Sequence, residues 1–119
     1  MRIFLLEDDG TRAALFCDVL LPNRHELTHR SSLHTTIKAH QGAGYDFYLL
    51  DHDLSSDVDY GNGQMVAEWL AMYVESKNAI IHSWNADGAK RMATVLEQAK
   101  WNIQVIPFGM KLLNHLKGI

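Results

Sequence analysis

The sequence predicts an α/β protein with one parallel sheet and helices on both faces, and two observations support this fold class. Short apolar runs of strand length alternate five times with segments whose apolar residues recur at helical spacing. Five βα units in series imply parallel strands, because each helix carries the chain back to the edge where the next strand begins. At 119 residues the chain suits a single domain that spans residues 1–119.

The strands are assigned from the apolar runs. In chain order they are RIFLL (2–6), ELTHR (26–30), FYLL (47–50), AIIHS (79–83) and NIQVI (102–106). The second run is polar, which suits a strand at the edge of the sheet. The first, third and fourth runs are the most apolar, which suits strands in the middle. These requirements together favour the flavodoxin-like strand order 2-1-3-4-5. We expect Leu5, Leu49, Ile80 and Val105 to be buried.

The helices are assigned from apolar residues that share one helical face. In chain order they are TRAALFCDVLL (11–21), a short helix between Ser31 and Gly44, QMVAEWLAMYV (64–74), GAKRMATVLEQA (88–99) and FGMKLLNHL (108–116). Pro22 ends the first helix, and Ser31 or Ser32 is a suitable N-cap for the second. A loop rich in Asp, Ser and Gly precedes the third helix and extends to Gly63.

Charge and composition exclude several classes of protein. The formal net charge is −3, so no basic field attracts a nucleic-acid backbone, and binding to a DNA duplex is not expected. Cys17 is the only cysteine, which excludes an internal disulfide and fits a reducing compartment. No apolar run reaches the length of a membrane span, and the one after Met1 is too short for a signal peptide. We therefore expect a cytoplasmic protein that does not bind membranes.

Polar side chains follow three strands of the predicted sheet. They form the runs Glu7-Asp8-Asp9, Asp51-His52-Asp53 and His82-Ser83-Trp84-Asn85. The carboxyl ends of parallel strands meet at one edge of a sheet, and sites form there near the switch in strand order. Carboxylates crowded together raise one another's pKa, and a divalent cation would relieve their repulsion. The sequence therefore predicts a metal site in this crevice.

Each polar group also has an ordinary structural interpretation. The acidic run after the first strand could cap the next helix as a solvated turn, and Asn85 could simply cap the fourth helix. His82 could be a core imidazole, and His52 a partly exposed loop residue. Trp84 could stack a nucleobase, although we expect it to be buried.

The same residues resemble the receiver domain of bacterial response regulators. IFLLEDD (3–9) matches the first strand and its acidic pair, and DFYLLDHDL (46–54) matches the strand that ends on the phosphoacceptor aspartate, here Asp51. The resemblance covers essentially the full length. It implies a (βα)5 receiver fold in which Glu7 (or Asp9) and Asp8 hold a metal together with Asp51.

Two departures point to a divergent group within this family. Receivers carry a lysine before the proline that follows the fifth strand, whereas this chain has Ile106 before Pro107. LDHDL (50–54) together with HSWNADGAKRM (82–92) resembles the paired motifs of cyclic-phosphate-processing receiver domains. That resemblance implies hydrolysis or processing of a cyclic phosphate on a nucleotide or on an RNA end. The implied partner is a phosphorylated or cyclic-phosphate nucleotide.

The roles implied for the site residues follow from this chemistry. The metal would be held by Glu7, Asp8 and Asp51, with Asp9 as a spare ligand. A catalytic set would act beside it: Asp53 and His52 orient water or metal, His82 exchanges a proton, and Ser83 and Asn85 contact phosphoryl oxygens. Mg²⁺ and Mn²⁺ are the expected ions. The alternatives are a signalling receiver that accepts phosphate on Asp51, and a binding module without chemistry.

Overall fold

The computed structural model describes residues 1–42, 44–54 and 62–119, and these form a three-layer α/β domain. The strands are β1 (Arg2–Leu6), β2 (Glu26–Arg30), β3 (Phe47–Leu50), β4 (Asn78–Ile81) and β5 (Asn102–Val105). The helices are α1 (Gly10–Leu20), α2 (Leu33–Ala39), α3 (Gly63–Tyr73), α4 (Ala86–Gln98) and α5 (Met110–Leu116), and a 3-10 turn (Leu21–Asn23) follows α1. Residues 55–61 of the predicted loop lie outside the described residues.

All strand pairs are parallel, and the order is β2-β1-β3-β4-β5. The predicted receiver-type fold is therefore confirmed. The order follows from composition, since the apolar strands β1, β3 and β4 lie in the middle while the half-exposed β2 and β5 form the edges.

The two faces of the sheet carry separate cores. On one face, α1 and α5 pack Phe16, Leu20 and Leu112 against Ile3 and Leu49. On the other face, the core is larger and includes buried side chains of α3 and α4: Val66, Ala67, Leu70, Ala89, Met92, Ala93 and Leu96. Successive strand residues point to opposite faces of the sheet. Whether a residue just after a strand faces one helical layer or the other therefore depends on whether it lies an odd or an even number of positions along.

Two details differ from the sequence-based prediction. Val105 is 47% exposed rather than buried, because it lies on the edge strand β5, and Leu5, Leu49 and Ile80 are buried as predicted. Helix α4 begins at Ala86, earlier than expected, since Asn85 acts as its N-cap.

The N-cap of α2 is Ser32, which resolves the choice between the two serines. Among the helices that the structure describes, none has both the length and the apolar character needed to cross a bilayer.

Candidate functional site

Strand register brings Glu7, Asp51 and His82 side by side. Leu6 of β1 is in register with Leu50 of β3, which is in register with Ile81 of β4, and each polar residue comes one position later. The ladder continues through these positions, because the Asp51 N–H donates to the Leu6 carbonyl at 3.2 Å and the His82 N–H to the Leu50 carbonyl at 2.9 Å. The alternation of side chains directs all three toward α1.

Glu7, Asp8 and Asp51 form an acidic cluster. Each offers a carboxylate oxygen, and these atoms all lie within 4.8 Å of one another. Burial raises the pKa of Glu7 to about 7, and the charge of Asp51 acts in the same direction. Burial also raises the pKa of Asp51. The ionised forms therefore need more positive charge than the protein supplies.

Asp9 lies outside this cluster. Its side chain is exposed and accepts a hydrogen bond from the Arg12 N–H at 3.0 Å, which makes it the N-cap of α1. The alternative in which Asp9 replaces Glu7 finds no support in this geometry, whereas the ordinary capping interpretation accounts for it.

Arg12 lies among the three carboxylates, and the sequence reasoning missed it. Its Nη2 atom is 3.2 Å from Glu7 Oε2, 3.8 Å from Asp51 Oδ2 and 3.9 Å from Asp8 Oδ1. Its place in the first turn of α1, shortly after the acidic run, is a signal that could have identified it. A basic residue in the first turn of a helix also interacts unfavourably with the helix dipole, which indicates that Arg12 is stabilised by other contacts.

The carboxylate oxygens of the acidic cluster are suitable ligands for a divalent cation. Carboxylate oxygens are the ligands that Mg²⁺ and Mn²⁺ prefer. Three carboxylates face a single guanidinium, and burial, with a smaller contribution from the charge of Asp51, raises the pKa of Glu7 to about 7.

His52 belongs to a hydrogen-bonded network on the opposite face of the sheet. Its Nδ1 lies 2.7 Å from Asp53 Oδ1, and the Asn85 amide donates to the same oxygen at 3.2 Å. The bond with His52 lowers the pKa of Asp53. A carboxylate can only accept, so the Nδ1–H donates and the tautomer leaves Nε2 as the basic nitrogen.

Two glycines hold the His52 segment in place. A Cβ on Gly88 would lie 2.6 Å from the His52 ring, so only a glycine lets α4 approach this closely. A Cβ on Gly63 would lie 2.0 Å from the Asp51 carbonyl oxygen, and the Gly63 N–H donates to the His52 carbonyl at 2.8 Å. Neither contact is visible in the sequence, because both depend on how α3 and α4 pack against the end of β3.

His82 is buried, with 1% of its surface exposed. Its ring centroid is 4.9 Å from that of Phe16, and Nδ1 is 3.9 Å from Glu7 Oε1. Neither ring nitrogen has a hydrogen-bond partner among the described residues. Burial, aided by the charge of Arg12, lowers the pKa of His82 to about 3. The ring lies beside Glu7 but is buried and neutral at pH 7, which argues against the proton exchange that the resemblance implies for His82.

Ser83 and Trp84 differ sharply in exposure. Ser83 is buried, accepts a hydrogen bond from the Asn85 N–H at 3.0 Å, and bonds to Asp51 in a way that lowers the pKa of that carboxyl. Trp84 is 69% exposed, so the expectation of burial is wrong. Its indole N–H donates to the Phe108 carbonyl at 2.8 Å, which fixes the ring at the surface.

A family model described as "Cyclic-phosphate processing Receiver domain" matches residues 1–98. The chain belongs to this family. The resemblance of the LDHDL and HSWNADGAKRM motifs is thus confirmed. No curated protein matches the sequence.

Solved receiver domains share the fold of this family member. The Mn(2+)-bound form of response regulator Rcp1 is 17% identical with a TM-score of 0.68, covering 99% of this chain and 90% of that one. TrrA from Thermotoga maritima, solved with Mg(2+)-BeF, is 14% identical with a TM-score of 0.75, covering 98% and 96%. The phosphorylated cyanobacterial phytochrome response regulator RcpA is 18% identical with a TM-score of 0.70, covering 98% and 89%.

The residues predicted for the site of this receiver domain fall into two groups. The acidic cluster and His82 lie on the α1 face of the sheet. The other predicted residues, His52, Asp53 and Asn85, form the network that contacts α4. The sheet edge brings both groups close, because Ser83 bonds to Asp51 on one side and to the Asn85 backbone on the other.

Proposed function

We propose that this receiver domain binds a divalent cation and, with it, processes a phosphate ester, namely a cyclic phosphate on a nucleotide or RNA end. The observation that carries the proposal is the acidic cluster, whose carboxylates lie within 4.8 Å of one another while burial raises the pKa of Glu7 to about 7. The description of the family names cyclic phosphates. The Mn(2+)-bound form of Rcp1 supports a divalent ion by analogy of fold.

Glu7, Asp8 and Asp51 would hold the cation. When bound, it would polarise a phosphoryl oxygen and increase the acidity of a water molecule. Asp9 remains the N-cap of α1 in this proposal. Mg²⁺ and Mn²⁺ are the ions that suit an all-oxygen donor set.

His52 is the imidazole proposed to exchange a proton with the substrate. Cleavage of a phosphodiester requires proton transfer to the leaving alkoxide, and histidine is the usual group for it near neutral pH. Asp53 accepts from Nδ1 at 2.7 Å and so orients the ring, in the way that a carboxylate orients a catalytic histidine. This assigns to His52 the role that the sequence suggested for His82.

Ser83 and Asn85 are proposed to contact the phosphoryl group. Asn85 caps α4, and its side chain accepts from the Gly88 N–H at 2.9 Å, which leaves the N–H groups of Ala86 and Asp87 without an intrahelical partner. Such groups at a helix N-terminus favour an anion. The position adjoins Asp51 through Ser83.

A second candidate function is signalling, with Asp51 as phosphoacceptor. Asp51 Oδ1 accepts from the His52 N–H at 2.8 Å, while Oδ2 faces Arg12 at 3.8 Å. One oxygen is thus oriented by the backbone and the other lies beside a cation that would offset the charge of a phosphoryl group. This candidate uses the same cluster without requiring turnover.

The test is hydrolysis of a 2′,3′-cyclic nucleotide by the full chain in Mg²⁺ or Mn²⁺. We expect turnover in the wild type, and loss of both turnover and calorimetric Mn²⁺ binding in Asp51→Asn and Asp8→Asn. Asp9→Asn is the matched control, because it removes one charge outside the cluster and asparagine is also a good N-cap.

The outcomes separate the candidates. A stable acylphosphate on Asp51 after incubation with acetyl phosphate, with no hydrolysis of cyclic nucleotides, would favour signalling. Nucleotide binding without turnover in either ion would instead indicate a binding module.

A further inference from the structure

We propose that Arg12 is a displaceable counter-ion of the acidic cluster: it neutralises the carboxylates until a divalent cation binds, and then turns its guanidinium to the phosphoryl group of the substrate. The inference rests on the function proposed above and assigns a phosphate-binding residue to the same site. No other lysine or arginine in the described ranges forms an ion pair with Glu7 or Asp51.

The first observation is that Arg12 and a bound cation would need the same oxygens. The guanidinium Nη2 lies 3.2 Å from Glu7 Oε2 and 3.8 Å from Asp51 Oδ2. A divalent ion binds carboxylate oxygens at about 2.0–2.6 Å. An ion held by these oxygens would therefore lie against the guanidinium, and two positive charges at that separation in a partly buried site repel strongly. The two cations are alternative occupants.

The second observation is that Arg12 has unused donors. The described residues give its side chain one close hydrogen bond, from Nη2 to Glu7 at 3.2 Å, and leave the buried Nε without a partner. A guanidinium has five N–H donors in a planar fork that matches two phosphate oxygens. The side chain is 26% exposed, so an anion can reach it without unfolding α1.

The third observation is the surface along which the guanidinium can turn. The Arg12 Cζ lies 5.5 Å from the centre of the Trp84 ring and 5.9 Å from that of Phe108. Cations are stabilised over such rings, more so when partly desolvated. The Trp84 ring is fixed by its bond to the Phe108 carbonyl and adjoins Ser83, so a guanidinium released from the carboxylates stays beside the proposed phosphate position.

The proposal requires reciprocal coupling between cation and phosphate. A phosphate that holds Arg12 removes the competitor of the cation, so phosphate should tighten Mn²⁺ binding, and Mn²⁺ should tighten phosphate binding equally. Couplings of this kind are typically about 5–150-fold.

The experiment measures Mn²⁺ affinity by calorimetry with and without inorganic phosphate, in wild type and Arg12→Met. Methionine keeps the length of the stem but removes the charge. We expect Arg12→Met to bind Mn²⁺ at least about fivefold more tightly than wild type without phosphate, and to bind phosphate more weakly in saturating Mn²⁺. The gain in Mn²⁺ affinity on adding phosphate should be smaller in the variant. Arg91→Met is the matched control, since it removes the same charge from an exposed position of α4.

Each half of the proposal can fail separately. If Arg12→Met binds Mn²⁺ no more tightly than wild type, competition is refuted; if it binds phosphate as wild type does, the phosphate role is refuted. Arg12→Gln replaces it should the methionine variant not fold, with tighter Mn²⁺ binding again expected, because glutamine is polar but carries no charge. Absence of Mn²⁺ binding in wild type and variant alike would overturn the proposed function as well.

Discussion

His52 and His82 occupy similar positions in the sequence and are both buried, but they lie in different layers of the fold and differ in their hydrogen-bond partners. Each follows a central strand, beside a carboxylate and close to the same sheet edge. His52 faces α4, and its Nδ1–H donates to Asp53, which also accepts a hydrogen bond from the Asn85 amide. His82 faces α1 and packs against Phe16, and neither of its ring nitrogens has a hydrogen-bond partner among the described residues.

One residue of register explains the difference. His82 directly follows the last residue of β4, whereas Asp51 intervenes between β3 and His52. A shift of one residue reverses the face of the sheet to which a side chain points. The two rings therefore enter different layers. A cluster of polar residues at strand ends thus identifies a site. The alternation of side chains along each strand then determines on which face of the sheet each residue lies.

The largest effect that separates the two histidines is on turnover. His52→Gln should reduce hydrolysis of a 2′,3′-cyclic nucleotide by about 10²–10⁴-fold, the usual effect of removing a proton-transfer group. Mn²⁺ affinity should change little, because His52 lies outside the acidic cluster. Initial rates and calorimetry measure the two quantities. His34→Gln, on the exposed side of α2, is the control. Unchanged turnover in His52→Gln would contradict the role assigned to His52.

The second effect tests the close packing that holds His52. Gly88→Ala would place a methyl group 2.6 Å from the ring. We expect a loss of about 1–3 kcal/mol in the free energy of unfolding, as for overpacking elsewhere, although alanine is the better helix former. Urea denaturation measures this change. Gly10→Ala is the matched control, because nothing lies within 4 Å of a Cβ built there. Equal stabilities of the two variants would show that the ring moves aside freely.

The third effect concerns the carboxyl beside His82. The pKa of Glu7 is raised in the fold from 4.5 to about 7. A carboxyl whose pKa is higher in the folded state binds more protons there, so its contribution to stability falls as pH rises from about 4.5 through 7. Glu7→Gln removes this dependence. Its stability relative to wild type should increase by roughly 2 kcal/mol between pH 5 and pH 8 without divalent ions.

Denaturation at both pH values measures this difference, with Glu75→Gln as an exposed control that should show none. Addition of Mn²⁺ at pH 8 should stabilise wild type more than Glu7→Gln, since the ion binds only the folded acidic cluster. A constant difference between Glu7→Gln and wild type across this pH range would contradict the cause assigned to the raised pKa.

The sequence was sufficient for the fold, and with the receiver resemblance it predicted the three members of the acidic cluster together with Asp9, which lies outside it. Apolar runs located five strands, and the polar β2 indicated an edge, which together gave the strand order. Convergence of the strand ends brought five acidic residues together, and the receiver resemblance selected Glu7 (or Asp9), Asp8 and Asp51 from them. Arg12 was missed because its role depends on the direction of a long side chain at the start of α1. The contacts of Gly63 and Gly88 with the His52 segment were missed because helix packing, not local pattern, determines them.

The smallest effect concerns His82 itself. Replacing a buried, unpartnered polar group by an apolar one of similar volume removes a desolvation penalty, so the free energy of unfolding of His82→Leu should exceed that of wild type by about 1 kcal/mol at pH 8.

This advantage of His82→Leu should grow as the pH is lowered. The pKa of His82 is about 3 in the fold, against 6.5 as the ordinary value, so the unfolded chain takes up a proton first and wild type loses stability as pH falls below about 6.5. Unfolding at pH 8 and pH 5.5 should therefore show the advantage of His82→Leu rising by roughly another 1 kcal/mol. His52→Leu should lose stability at both pH values, because it removes the hydrogen bond between the His52 ring and Asp53. A destabilised His82→Leu would mean that the buried ring makes a contact that the fold requires, and His82 would then not be an unpartnered group.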